Sequence, residues 1–106
     1  MIVNVTFVDN TPPYFIGTVN NQTVEYGTGL YYDIDANDET AFDTFAVNDT
    51  TRFKINDSGA LENNTVLNIG TFYVNITIND TSNNLNSTVI WINVTDTTPP
   101  IIQIVF

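Results

Sequence analysis

The sequence contains no cysteine and no histidine, and its only basic residues are Arg52 and Lys54. Without cysteine the chain can form neither disulfide bonds nor a thiol nucleophile. Without histidine it lacks the commonest general base and the commonest ligand of transition metals. Two basic residues against 12 acidic ones give a formal net charge of −10. Because the chain has almost no positive charge to neutralise phosphates, we expect no nucleic-acid partner. For the same reason we expect an anionic membrane surface to repel it.

Long apolar runs are also missing. No stretch approaches the about 18 consecutive apolar residues of a membrane span, so we expect no direct membrane insertion. The first residues lack the basic region and apolar core of a secretory signal peptide, which predicts a mature, processed or fragmentary chain. Paired carboxylates such as Asp33 and Asp35 indicate ligands or a solvated loop more than an acid–base pair. No nucleophile, base and orienting group can be proposed, so the sequence predicts a protein that is not an enzyme.

The sequence has enough apolar residues for one small core, and its polar residues are unusually rich in asparagine and threonine. The chain has 106 residues, of which 42% are hydrophobic, so it is long enough for one sandwich-sized domain and too short for two. It contains 16 asparagines and 17 threonines. Asparagine disfavours both helices and strands, so its abundance needs an explanation other than conformational propensity.

A proline pair occurs twice, at 12–13 and 99–100, each time after a strand-like segment and before a short apolar run. The recurrence predicts one complete repeat at 12–96. Residues 1–11 would then be the last strand and linker of a preceding repeat, and 97–106 the linker and first strand of a following one. Two adjacent prolines would stiffen each linker and end strand pairing.

Between the proline pairs, apolar and polar residues alternate in short segments separated by turn residues, without helical periodicity. We predict strands at 24–34, 42–47, 53–55, 61–67, 70–79 and 89–95. With the short apolar run at 14–16 this makes seven strands in about 90 residues, which predict an all-β, seven-stranded Ig-like or cadherin-like β-sandwich with flanking strands from adjacent repeats or subunits. The predicted core includes Phe15, Leu30, Tyr32, Ile34, Phe45, Phe53, Ile55, Leu61, Phe72, Val74, Ile76, Ile90, Ile92 and Val94. Trp91 has the opposite parity, which leaves three options for it: a sheet edge, stacking on a glycan, or contact with the next repeat.

Three segments carry a family likeness: VEYGTG at 24–29, FKINDSGAL at 53–61 and GTFYVNITIND at 70–80. In this order and spacing they resemble the tandem cadherin-like or Ig-like repeats of bacterial and archaeal surface proteins, and the likeness covers most of the chain. The resemblance implies the sandwich fold and a mechanical or adhesive role, but the fold alone fixes neither.

N-glycosylation motifs, Asn-X-Ser/Thr, are the strongest functional signal. About three would be expected from this composition by chance. Nine occur, at Asn4, Asn21, Asn48, Asn56, Asn63, Asn75, Asn79, Asn86 and Asn93. Residues i and i+2 of a strand share a face, so Asn4, Asn75 and Asn93 would point outward together with their threonines. These asparagines are predicted to carry N-linked glycans; the alternative is that Asn-X-Thr only makes up the wet face of each strand.

An acidic segment at 33–39 is the second signal, because clustered carboxylates bind calcium. The resemblance to cadherins implies a calcium site formed by Asp33, Asp35, Asp38 and the linker residue Asp9, with Asp80 nearby. The chain departs from the cadherin pattern after Leu61, where the expected Asp-Arg-Glu is missing. The alternative interpretation is a solvated acidic loop.

The tails, 1–8 and 101–106, read as apolar strands without a sandwich of their own. Such strands pair with exposed sheet edges, either in neighbouring repeats of one chain or by strand donation to neighbouring subunits. Together these features predict a structural repeat of an extracellular, glycosylated filament or cell-surface stalk, assembled head-to-tail from identical repeats or subunits. The alternative is a calcium-dependent adhesin or carbohydrate-binding module.

Overall fold

The computed structural model describes residues 10–37 and 42–97. Within these residues the chain is all-β and has no helix, in agreement with the fold class predicted from the sequence. Nine strands are formed: β1 (Tyr14–Phe15), β2 (Gln22–Glu25), β3 (Tyr31–Asp33), β4 (Ala36–Asn37), β5 (Phe42–Val47), β6 (Phe53–Ile55), β7 (Ala60–Asn63), β8 (Gly70–Asp80) and β9 (Leu85–Thr95).

The strands form two larger sheets and one small pair. The four-stranded sheet has the order β2–β9–β8–β5, the three-stranded sheet has the order β3–β7–β6, and β1 pairs with β4. All neighbours are antiparallel except β2 and β9, which run parallel with Val24 beside Val94. The β8–β9 hairpin is the longest ladder, from Gly70 beside Val94 to Asn79 beside Leu85.

Strict alternation along β8 and β9 explains how this hairpin divides core from solvent. Successive side chains of a strand point to opposite faces. On the inner face, Val74, Ile76, Ile90 and Ile92 are buried. The polar and aromatic residues between them lie on the outer face, where Tyr73 is 68% exposed.

The core lies between the two larger sheets and takes residues from both. Ten of the predicted core residues are buried, and the other four, Phe15, Tyr32, Ile55 and Phe72, are partly buried and packed against them. Ile78 and Leu67 also belong to the core, although the sequence analysis did not include them. The rings of Phe53 and Phe72 meet edge to face, 6.5 Å between centroids. This arrangement is consistent with a β-sandwich.

The prediction of a single strand over 24–34 was wrong, and the nine strands of the described residues differ from the predicted seven. The chain turns at Gly27, whose φ is +83°, and the main-chain N–H of Thr28 donates to the carbonyl oxygen of Glu25 at 3.1 Å. Positive φ at the third residue of a turn favours glycine. The turn sends β2 to β9 and β3 to β7, in different sheets. The strand predicted at 61–67 is shorter and ends at Asn63, while β9 begins at Leu85 instead of residue 89.

The first proline pair is anchored to the body of the domain. Pro13 is fully buried, and its carbonyl oxygen accepts a hydrogen bond from Nδ2 of Asn86 at 3.2 Å. The second pair and both apolar tails lie outside the described residues, so the division into 1–11, 12–96 and 97–106 stays a prediction. In residues 10–37 and 42–97 no helix is long and apolar enough to span a membrane.

Candidate functional site

Most of the sequon asparagines in the described ranges gather on or beside the outer face of the four-stranded sheet. Three alternate with buried residues along β8 and β9, namely Asn75, Asn79 and Asn93. Two more, Asn21 and Asn48, stand just before β2 and just after β5 and hydrogen-bond to this sheet. The remaining three lie elsewhere: Asn56 in the β6–β7 turn, Asn63 at the end of β7 and Asn86 near the start of β9. Asn4 lies outside the described residues.

Three exposed sequon asparagines have their amide oxygen held by main-chain N–H groups. Asn21 Oδ1 accepts from Trp91 at 3.0 Å, Asn48 Oδ1 accepts from Asn75 at 3.0 Å, and Asn56 Oδ1 accepts from Ser58 at 3.1 Å and Ala60 at 3.0 Å. A main-chain N–H can only donate, so its partner must be the oxygen and not the amino group of the amide. In each of these side chains the main-chain hydrogen bonds therefore use Oδ1 and do not use Nδ2, the atom to which a sugar would be attached.

The half-buried asparagines of the outer face are held differently. Asn79 Oδ1 accepts from the Thr44 hydroxyl at 2.9 Å, and Asn93 Oδ1 accepts from the Thr71 hydroxyl at 3.3 Å. A hydroxyl can donate or accept, so it does not dictate which way the amide faces. Asn75 Oδ1 is buried without a hydrogen-bond partner in the described part of the chain. As the sequence predicted, Asn75 and Asn93 lie on the outer face of their strands.

Two sequon asparagines use Nδ2 within the fold. Asn63 donates from Nδ2 to the carbonyl oxygen of Thr65 at 2.9 Å, and its Oδ1 accepts from the N–H of Leu30 at 2.9 Å. Asn86 donates from Nδ2 to Pro13 and lies opposite the buried Ile78. Asn63 therefore fixes the main chain just before β3, and Asn86 fixes it at Pro13, where the chain enters the domain. The sequon pattern alone did not indicate these structural roles.

Replacing Asn56 by alanine is expected to lower the free energy of unfolding by about 1–3 kcal/mol, because two turn N–H groups lose their acceptor. Asn56→Asp also removes the sequon but keeps an oxygen at the same position, and it is expected to cost less than about 1 kcal/mol. Urea unfolding of unglycosylated protein made in a bacterial cytoplasm measures both. Equal losses for the two variants would show that the Oδ1 hydrogen bonds do not hold this turn.

The acidic residues proposed as calcium ligands are placed unequally. Asp33 and Asp35 are exposed at and just after the end of β3. Asp80 is 0% exposed at the end of β8, and its carboxylate accepts from the N–H of Ser82 and from the N–H and Nδ2 of Asn84, each at 2.9 Å. Among the described residues no three acidic side chains come close enough to hold a metal. Asp9 and Asp38 lie outside these residues, so the calcium site stays a prediction.

The turn between β5 and β6 holds the one ion pair found in the described ranges. Arg52 donates to Asp49 from its main-chain N–H at 3.1 Å and from Nη1 at 2.9 Å. The main-chain hydrogen bond, followed by the guanidinium, lowers the pKa of Asp49 below its ordinary value. The Arg52 guanidinium also lies 5.0 Å from the centre of the Phe72 ring. The turn that follows Asn48 is therefore held by Asp49 and Arg52, and the positive charge of Arg52 is paired with the Asp49 carboxylate.

Tyr73 and Trp91 form an aromatic pair on the outer face, since they are direct partners across β8 and β9. β9 is an inner strand of the four-stranded sheet at 92–95, where β2 pairs with it; Trp91 lies just before this stretch, and its N–H donates to Asn21 Oδ1. Thr71, Tyr73, Trp91 and Asn93 line a shallow depression of about 210 Å³. That is smaller than the about 300–1,000 Å³ of typical small-molecule sites, so the pair is a surface platform and not a binding pocket.

A second concavity, an open groove of about 310 Å³, lies between the edge strands β5 and β6. Phe45, Val47, Phe53 and Ile55 make it largely apolar, and Lys54 is its only titratable lining residue. One lysine without a neighbouring acid, base or nucleophile in the lining does not form a catalytic arrangement.

No protein-family model matches the chain, and no curated protein sequence matches it. The interpretation of function therefore depends on the surface just described and on the three segments that resemble cadherin-like or Ig-like repeats.

Proposed function

We propose that the chain is a structural repeat of an extracellular, glycosylated filament or cell-surface stalk. The observation that carries this proposal is the set of sequon asparagines around one sheet face, with amide oxygens bonded to the fold at Asn21 and Asn48. Such side chains can carry a sugar without giving up their structural bonds.

The chemistry of attachment explains why the orientation matters. Nδ2 forms a bond to the anomeric carbon of an oligosaccharide carried on a lipid phosphate. The bond between that carbon and the phosphate oxygen breaks, the lipid phosphate leaves, and Nδ2 gives one proton to a base of the transferase. Oδ1 keeps its lone pairs, so the hydrogen bonds from the N–H groups of Trp91 and Asn75 persist after modification.

The positions of the two linkers support a head-to-tail assembly. The entering chain is fixed at Pro13 by Asn86, near the start of β9. The leaving chain is fixed just beyond the end of β9, where Thr97 donates to Glu25 from its N–H at 2.8 Å and from its hydroxyl at 2.7 Å. At about 3.3 Å per strand residue, these anchors are about 35 Å apart along the strand. Repeats joined through them would extend along one axis and would not double back.

The partners in this proposal are neighbouring identical repeats or subunits. Their contact would use the apolar strand sequences at 1–8 and 101–106, which lie outside the described residues, either within one chain or by strand donation. A heterologous contact of this kind need not close into a ring, so it produces a thread.

One observation favours the second candidate, a carbohydrate-binding or calcium-dependent adhesive module. Tyr73, which is 68% exposed, and its half-buried partner Trp91 offer flat aromatic surface of the kind that binds sugar rings. A carbohydrate-binding module would bind free oligosaccharide in solution. If that binding depended on calcium, it would be lost when a chelator is added. A structural repeat would do neither.

The deciding test is the intact mass of native material before and after glycan release. We expect a mass several sugar chains above the 11.8 kDa of the polypeptide for each repeat, falling to that value on release. A native mass equal to that of the bare polypeptide would overturn the proposal. The Asn-X-Ser/Thr motifs would then only supply polar residues to the solvent-facing side of the strands.

A further inference from the structure

Two of the sequons share a longer pattern in which an aromatic residue stands two positions before the asparagine. Tyr73 precedes Asn75 in this way, and Trp91 precedes Asn93. Residues i and i+2 of a strand lie on the same face, about 7 Å apart along the strand. Both asparagines are on the outer face of the sheet with their aromatic neighbours.

The strand register brings the two patterns together. Tyr73 is paired with Trp91, while Asn93 lies beside Thr71 on one side of the aromatic pair and Asn75 beside Val89 on the other. Directly paired antiparallel residues have Cβ atoms about 5 Å apart. The two rings therefore lie side by side with a sequon asparagine at each end.

A third sequon asparagine, just before β2, adjoins the pair, because Asn21 Oδ1 accepts a hydrogen bond from the main-chain N–H of Trp91 at 3.0 Å. The depression of about 210 Å³ lies directly between Asn93, Thr71 and the two aromatic side chains. There is therefore open space bordered by both aromatic side chains and by the Asn93 side chain.

We propose that the N-linked sugar of Asn93 packs on the Trp91 ring, with the sugar of Asn75 covering Tyr73 in the same way. This inference rests on the proposed function, since it requires that the sequons are glycosylated. The C–H groups on one face of a pyranose ring are apolar and carry slight positive charge, and they are attracted to the negative face of an aromatic ring. Covering the rings also removes apolar surface from water.

The surface chemistry of the sheet supports this occupant. Tyr73 and Val89 are 68% and 60% exposed, and both lie on the outer face of β8 and β9 beside Trp91. An exposed apolar patch of this kind promotes association unless something covers it. A sugar attached two residues from the ring has a far higher effective concentration there than any free ligand, so the chain's own glycan is favoured over a foreign one.

The first test uses Trp91 as the chain's only tryptophan, so that its fluorescence reports this site alone. The glycosylated chain is secreted from an N-glycosylating host, and occupancy of Asn93 is established by glycopeptide mass. Enzymatic glycan release is expected to increase quenching of the fluorescence by acrylamide about twofold, because the ring loses its cover. Unchanged quenching with Asn93 occupied would overturn the inference.

The second test is a double-mutant cycle of Trp91→Thr and Thr95→Val. Thr95→Val removes the sequon and leaves Asn93 in place, Thr95→Ser is the control that keeps it, and Trp91→Tyr keeps a ring. We expect Trp91→Thr to lower Tm by about 4 °C more in the glycosylated background than with Thr95→Val. Trp91→Tyr should retain most of that difference.

The outcomes separate this inference from the proposed function. Equal Tm losses with Asn93 occupied, or an unoccupied Asn93 in a chain glycosylated elsewhere, would overturn the inference and leave the glycosylated repeat standing. Native material without sugar at any sequon would overturn both.

Discussion

Gly59→Ala is expected to destabilise the protein by more than about 4 kcal/mol, a large fraction of the total stability of a small domain. A Cβ at this position would overlap the main-chain oxygen of Ile34 and lie 2.8 Å from Cζ of Phe45. Neither neighbour can retreat, because the N–H of Ile34 donates to the carbonyl oxygen of Gly59 at 2.9 Å and both Ile34 and Phe45 are buried. Gly59 also has a φ of +90°, where residues with a Cβ are strained.

Gly27→Ala is the matched control. Gly27 has a similar φ of +83°, but nothing lies within 4 Å of the position that its Cβ would occupy. This variant should lose about 1–2 kcal/mol from backbone strain alone. Urea unfolding of both unglycosylated variants measures the difference. Equal losses would mean that the close approach of Gly59 to Ile34 is not a feature of the folded protein.

The contrast between the two glycines shows where sequence-based prediction ends. The turn at 56–59 could be predicted from its Asn-Asp-Ser-Gly composition, because those residues favour turns for local reasons. The packing of Gly59 against Ile34 joins segments far apart in the chain, and no local pattern reports it. The interpretation of β2 and β3 as one strand has a different reason: both segments alternate, and the turn at Gly27 that separates them was overlooked.

Long alternating segments were predicted well. Strand β8 buries every second residue from Val74 to Asp80, so the inner face could be identified without knowing its partner. The outer face could be identified only in part. The spacing of Tyr73 to Asn75 and of Trp91 to Asn93 is visible in the sequence, but the register that sets the two aromatic residues side by side belongs to the hairpin.

Asp80 was assigned to a possible calcium site because it is acidic and follows a strand in the segment that resembles cadherin-like repeats. In the structure its carboxylate accepts hydrogen bonds in the turn that joins β8 to β9. The main-chain N–H of Asp80 donates to the carbonyl oxygen of Asn84 at 3.1 Å, while the carboxylate accepts from Ser82 and Asn84. An aspartate with small polar residues two and four positions later is typical of such turns, and this signal was present in the sequence.

Asp80→Ala is therefore expected to lower the free energy of unfolding by about 3 kcal/mol, because buried hydrogen bonds to a carboxylate are lost and their donors are left without an acceptor. The loss of stability should be the same in calcium and in chelator, because the carboxylate of Asp80 binds N–H groups of Ser82 and Asn84 and needs no metal ion for these hydrogen bonds. Urea unfolding of unglycosylated protein under both conditions measures it.

Asp35→Ala is the control that separates the structural role from a metal role. Asp35 is exposed, and in its described hydrogen bond the main-chain oxygen accepts from the N–H of Ile16. Removing this side chain should change stability by less than about 0.5 kcal/mol in chelator. A calcium site at Asp33 and Asp35 would make Asp35→Ala costly in calcium alone, because an ion that binds only the folded state stabilises it. If Asp80→Ala instead loses stability only in calcium, Asp80 is a metal ligand and its role in the β8–β9 turn is secondary.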